Sequence, residues 1–144
     1  MMEPKKILVP SDLSERSEVG IAYAGMLARH LGSELVVMVN INLPERAILE
    51  ESAGSEPLSL EEAARAALRR AAEKNAPSVT SSFAVGFRDF PAEGILDVAT
   101  HENVDMIVIP SHGRSGMTRW MLGSVAEKIV RGADVPVVIV PARD

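Results

Sequence analysis

The chain contains no cysteine. That excludes a disulfide framework, a thiolate zinc site and a cysteine nucleophile, and it fits a reducing compartment. No cluster of lysine and arginine occurs, and the formal net charge is −5. Sustained binding to nucleic acid or to an anionic membrane surface needs a basic patch, so neither partner is expected. The longest apolar runs are strand-length, too short to span a bilayer. The opening Met1-Met2-Glu3-Pro4-Lys5-Lys6 lacks the apolar core of a signal peptide, and a cytoplasmic protein is expected. Three enzyme signatures are also missing. There is no G-x-x-x-x-G-K-S/T phosphate loop, no G-x-G-x-x-G after the first strand and no G-x-S-x-G elbow. The histidines, His30, His101 and His112, have no metal-binding spacing.

What remains is the pattern of one globular unit. At 144 residues the chain has the size of a single domain, 1–144, able to bury roughly two-thirds of its unfolded surface. Ile7-Leu8-Val9-Pro10, Leu35 to Val39, Met106 to Ile109 and Val137 to Val140 are short continuous apolar runs, as in strands buried on both faces. Val79 to Val85 reads as a further strand with partial alternation. Between them lie helical patterns. Val19, Ala22, Tyr23, Met26, Leu27 and Leu31 mark the first helix, with Gly32 as its stop and Ser11 to Ser14 offering caps. Ser59-Leu60-Glu61-Glu62 and Ser124-Val125-Ala126-Glu127 read as capping boxes opening two more. These run to about Asn75 and to about Arg131-Gly132. Pro91 opens another helix, with Ile95, Leu96, Val98 and Ala99 on its apolar face. Asn40 to Leu58, with Pro44, Gly54 and Pro57, predicts a long, mobile excursion with room for a helical turn. The alternation of strand and helix implies an α/β fold: a single doubly wound, five-stranded parallel sheet of order 3-2-1-4-5 with helices on both faces.

In such sheets ligands bind beyond the strand C-termini where the strand order reverses. Here that point lies between strands one and four, which end at Pro10-Ser11-Asp12 and Ile109-Pro110-Ser111-His112-Gly113. Gly113 and Gly123, with Gly116 between, allow close backbone approach. The first amides of the last helix, on Val125 and Ala126, carry partial positive charge. Together they form a phosphate cradle, or else a glycine turn before an ordinary capped helix. Asp12 either meets a ribose hydroxyl or a divalent cation, or caps the first helix through Asp12-Leu13-Ser14-Glu15; both roles are compatible. His112 lies in the cradle with no carboxylate partner evident in sequence. Arg114, Arg119 and Arg131 surround the last helix and read as surface charges, with Arg114 the one best placed to meet a phosphate. Met38 and Val39 lie next to the crevice and are able to wall an adenine pocket. Trp120, Met117 and Met121 read as packing residues.

The segments Ile7 to Asp12, Asp105 to Ile109, Ser111-His112-Gly113-Arg114-Ser115-Gly116, Leu122-Gly123-Ser124-Val125 and Pro136 to Val140 resemble the universal stress protein family, an adenine nucleotide alpha hydrolase-like fold. The ATP-binding branch carries G-x-x-G, nine residues, then G-S/T. Gly113, Gly123 and Ser124 match, while Pro110 occupies the place of the first glycine. Proline removes an amide donor there, so weakened or altered binding is implied. The resemblance implies ATP, AMP or ADP as ligand, with Mg2+ or Mn2+ accompanying it. It places Asp12 against ribose or metal, the Val39 backbone against adenine, and Gly113, Gly123, Ser124 and Val125 against the phosphates. Pro10, Ser11, Ile109, Pro110, His112 and Arg114 complete the expected lining. It also implies a homodimer through Val137, Val138, Ile139 and Val140, an apolar edge that needs covering. The function expected is a nucleotide-dependent switch or stress-response factor with at most slow hydrolysis. The alternative is a nucleotide-free dimeric scaffold of the same fold.

Overall fold

The structure is a computed structural model that describes residues 3–53, 59–111 and 122–141. Its strands are β1 (Lys6–Ser11), β2 (Glu34–Asn40), β3 (Ser81–Gly86), β4 (Met106–Pro110) and β5 (Val137–Val140). Its helices are α1 (Glu18–Leu31), α2 (Leu43–Ala53), α3 (Leu60–Asn75), α4 (Pro91–His101) and α5 (Ser124–Gly132). All strand pairings are parallel, in the order β3-β2-β1-β4-β5 expected from the sequence. No described helix is long and apolar enough to cross a membrane.

The continuous apolar strands divide by alternation between two cores. Ile7, Val9, Leu35, Val37 and Val108 face the side covered by α1 and α3, where Ile21 and Leu68 are buried. Leu8, Val36, Met38, Ile107 and Ile109 face the side covered by α4 and α5, with Ile95 and Ile129. A period of two with apolar residues in both phases is what a sheet covered on both faces requires. Each such side chain contributes about 1.5–3 kcal/mol on burial.

The buried face of α1 differs from the expected one. It consists of Gly20, Ile21, Ala24, Gly25 and Ala28, while Tyr23 is exposed and Val19, Met26, Leu27 and Leu31 are half-buried. The reason is distance. A Cβ on Gly25 would lie 2.6 Å from the Cβ of Ala76, and one on Gly20 3.3 Å from Pro110 Cδ. Small residues let α1 sit directly on the end of α3 and on β4. Gly32 ends α1 at φ +68°, as its position suggested.

The span from Asn40 to Leu58 is not an excursion as far as Ala53. It holds α2, whose Leu49 is buried in the first core; residues 54–58 lie outside the described residues. Asn42 precedes the helix, and its carbonyl accepts from the Arg46 amide at 2.9 Å. The Asn42 amide donates to Glu45 Oε1 at 2.9 Å, the reciprocal half of a capping box, and Pro44 occupies the first turn. Ser59 caps α3 as expected, accepting from the Glu62 amide at 3.1 Å. Ser124 does not cap α5: Gly123, which has no side chain to offer, holds the N-cap position.

Glu18, at the start of α1, ties that helix to the end of α3. Its Oε1 lies 2.8 Å from Lys74 Nζ and accepts from Asn75 Nδ2 at 3.0 Å. Partial burial pushes the Glu18 carboxyl up, but the hydrogen bonds from Lys74 and Asn75 and the Lys74 charge outweigh it, and its pKa falls below the ordinary 4.5. A carboxyl with a lowered folded-state pKa stabilises the fold fully above its ordinary value and loses that contribution as pH falls through the lowered one. Glu18→Gln therefore lowers the melting temperature by a few degrees at pH 7. Thermal melts followed by circular dichroism should show the difference closing below pH 4.5.

Candidate functional site

The sheet opens where its order reverses. The β1–β2 pairing runs from Lys6↔Glu34 to Ser11↔Val39, and β4–β5 runs to Pro110↔Val140. In contrast, β1 and β4 pair only at Ile7↔Met106 and Leu8↔Ile107, then part. Each strand carries a proline beyond that point, Pro10 and Pro110, which has no amide to lend a ladder. The gap leads into a cavity of about 350 Å³.

Its lining brings together Pro10, Ser11 and Asp12 from β1 and the loop after it, Ile109 and Pro110 from β4, and Gly123, Ser124 and Val125 from the start of α5. These were expected. Val39 does not line it: it is fully buried in the sheet, in register with Ser11 and Val85. Met38 is likewise buried in the second core. His112, Gly113 and Arg114 lie outside the described residues, as do Met117, Trp120 and Met121.

After β1 the chain turns tightly. Asp12 Oδ1 accepts from the Ser14 amide at 2.9 Å and from the Ser14 hydroxyl. This closes an Asx turn, rather than the expected cap across to Glu15. Ser11 Oγ accepts from the Leu13 amide at 3.0 Å and pairs with Ser17 Oγ at 3.1 Å. Leu13 stands at φ +67°, a left-handed conformation that is rare for leucine. A 3-10 turn, Glu15–Ser17, then leads into α1.

Across the gap, the Gly123 amide donates to Ser111 O at 2.8 Å, which fixes the start of α5 against the end of β4. Behind the glycine N-cap, the first amides of α5 offer partial positive charge at the cavity wall. The charged side chains among the described lining residues are Asp12 and Glu45, both acidic.

Sequence reasoning missed the β2 side of the cavity: Asn40, Asn42, Pro44 and Glu45, and Pro91 with Ile95 from α4. The signal was the run Asn42-Leu43-Pro44-Glu45, a helix start read as loop. Asn40 is buried and joins the walls. Its Nδ2 donates to Arg88 O and its Oδ1 accepts from Arg88 N, both at 3.0 Å. Asn42 Nδ2 donates to Asp89 O at 3.0 Å. The loop between β3 and α4 is thus held by two asparagines, and α4 approaches so closely that a Cβ on Gly94 would meet Asn40 Oδ1 at 2.1 Å. A second, wider groove of about 890 Å³ runs along the open edge of β3. There Arg65 is paired with Glu61, and Arg88 with Glu93 and Asp97.

The sequence profile of the universal stress protein family matches residues 3–141. Universal stress protein MJ0577 of Methanocaldococcus jannaschii is 27% identical over 158 residues, covering 97% of this chain and 96% of that protein. The solved structure of MJ0577 superposes with a TM-score of 0.74 at 26% identity, covering 99% of each chain. Two other solved structures share the fold. One is a universal stress protein in complex with cAMP (TM-score 0.69, 21% identity, 97% of this chain and 98% of that chain). The other is the universal stress protein of Archaeoglobus fulgidus in complex with dAMP (TM-score 0.61, 21% identity, 96% and 98%).

Because the Asn40 clamp has no spare room, Gly94→Ala should displace its side chain and lower stability by about 1–3 kcal/mol. In hydrogen exchange the Arg88 amide, which Asn40 accepts from, should lose protection more than amides in α3.

Proposed function

Because the chain belongs to the universal stress protein family, we propose that it binds an adenine nucleotide in the cavity between β1 and β4 and acts as a nucleotide-dependent switch or stress-response factor. One observation carries the reading: the start of α5, with a glycine as its N-cap, opens onto a cavity that also holds Asp12. The phosphates lie against the Ser124, Val125 and Ala126 amides, where a helix start attracts anions without a lysine. The cAMP and dAMP complexes of two neighbours of the same fold support an adenine nucleotide. Within that class ATP is the ligand proposed, with AMP or ADP as products or alternatives.

A cation, Mg2+ or Mn2+, enters with the phosphates. The oxygen ligands of Asp12 suit a hard ion that takes one carboxylate and fills its shell from phosphate and water. Among the described residues no group of three or more His, Cys, Asp or Glu could hold a metal by itself. Hydrolysis is at most slow, well under ~1 per second, because phosphoryl transfer is mostly positioning and charge neutralisation and the sequence has no phosphate-loop lysine motif.

Pro110 favours a second reading, a nucleotide-free scaffold of the same fold, since it withholds one amide at the cavity wall. In either reading a second copy pairs through Val137, Val138, Ile139 and Val140 of β5, a sheet edge whose first three residues are only half-buried. Val138→Lys should then sediment as a monomer where the parent chain is a dimer.

The nucleotide reading is tested on purified protein. Mass spectrometry of the heat-released supernatant should find an adenine nucleotide, and calorimetric titration with ATP and Mg2+ should show binding. Gly123 has φ −64° and ψ 155°, an extended geometry open to any residue. Gly123→Val therefore adds bulk at the cavity without backbone strain, and should weaken ATP at least about tenfold. Equal binding by both proteins would move the site elsewhere, and no binding by either would leave the scaffold.

A further inference from the structure

We propose that Arg65 closes the β3 edge of the sheet to a second copy of this chain, so that self-association is left to the β5 edge. The closure of β3 stands on its own geometry; the limit to two copies rests on the β5 pairing proposed above.

A sheet of order β3-β2-β1-β4-β5 has two edges. On the inner side of β3 the Leu35 amide donates to Thr80 O at 2.9 Å and the Ile41 amide to Gly86 O at 2.7 Å. Carbonyls alternate along a strand, so those of Ser81, Phe83 and Val85, with their amides, point away from β2. Such a row is a template for another strand. The groove of about 890 Å³ along β3 leaves the row open to approach, so closure has to come from individual side chains. Arg65 of α3 supplies it. Its Nη1 donates to Phe83 O, the middle carbonyl of the row. Its Nη2 donates to Glu61 Oε1 at 3.0 Å, one turn back on the same helix, which holds the guanidinium in place. Arg69, one turn on, covers the Phe83 ring, its guanidinium 5.2 Å from the centroid.

Two copies joined at this edge would pair isologously, the same row meeting itself. The incoming strand must displace Arg65 from Phe83 O or bury a guanidinium in the seam, and the two-fold brings a second Arg65 to that seam. Like charges across a strand pair oppose it, and burying a charge opposes it more. The other edge is built differently. The Ile107 amide donates to Pro136 O and the Ser111 amide to Val140 O, so Val137 and Ile139 point outward from β5. The cations of the adjoining helix α5 are engaged away from that strand, Arg131 by Glu127 and Lys128 over the Phe90 ring. One guarded edge and one open edge end assembly at a pair, whereas two open edges would link copies into a row.

The test is sedimentation velocity of the full chain and of Arg65→Ala at equal, rising concentrations. Arg65 is an exposed helix residue and alanine is the best helix former, so α3 survives the change. The parent chain should stop at the dimer. Arg65→Ala should go on growing, its mean mass at least about doubling over that of the parent. Arg65→Lys, which keeps a cationic donor, should sediment like the parent. Hydrogen exchange locates the new contact: the Phe83 and Val85 amides should gain protection in associated Arg65→Ala and not in the parent. Equal sedimentation of Arg65→Ala and the parent overturns the assignment, as does growth without new protection at Phe83 and Val85. Val138→Lys separates the two edges, since Arg65→Ala with Val138→Lys should stop at a pair joined through β3. If Val138→Lys alone leaves the parent dimer intact, the β5 reading falls, while growth and protection in Arg65→Ala still decide the role of Arg65.

Discussion

The parting of β1 from β4 after Leu8 and Ile107 is the constraint from which the remainder of the molecule follows. In a parallel sheet every strand end points the same way, and each crossover leaves over one face or the other. Helix α1, which follows β1, packs on one face and α5, which follows β4, on the other, so neither of these helices roofs the space between the strand ends. Two prolines keep the ladder from closing that space. The start of α5 and the Asp12 turn then face each other over an opening rather than over a hydrogen-bonded seam.

An opening in a sheet needs rigid walls, and they come from close contacts rather than from large side chains. Gly25 against Ala76 and Gly94 against Asn40 bring helices nearer to each other and to the sheet than a side chain would permit, and Gly20 against Pro110 is nearly as tight. Dispersion and buried hydrogen bonds replace bulk in these places. Among the described residues no buried side-chain nitrogen or oxygen lacks a partner, so the polar ends of β1 and β2 strengthen the structure they interrupt. Asn40 is the clearest instance: one amide group replaces the strand pairing that β2 loses beyond Gly86.

The sheet was legible because its evidence is local and redundant. Ile7 to Pro10 or Met106 to Ile109 reads as a doubly covered strand from apolar continuity alone, and Gly32 and Ser59 mark helix ends by chemistry that acts within a few residues. From strand order came the crevice, and from the crevice Asp12 and Gly123. The face of α1 was not legible in this way. Hydropathy ranks Met26 and Leu27 above Gly25 and Ala28, whereas a helix that must approach another closely buries its smallest residues. Pro44 hid α2, since proline serves both loops and first helical turns, and Asn42 with Glu45 decides between them only when read as a pair. With α2 hidden, Asn40 and Glu45 had no reason to stand at a cavity.

The glycine at the head of α5 bears on how this protein tolerates improvement. As an N-cap, glycine falls only a few tenths of a kcal/mol short of serine or aspartate, so an uncapped entrance weakens the fold very little. Anyone seeking a more heat-resistant variant by optimising helix caps would choose position 123 early. The substituent that gained those tenths would project its oxygen toward the same amides and occupy the doorway from inside. Natural drift faces the same asymmetry: at this one position a more robust molecule and an open one are different molecules.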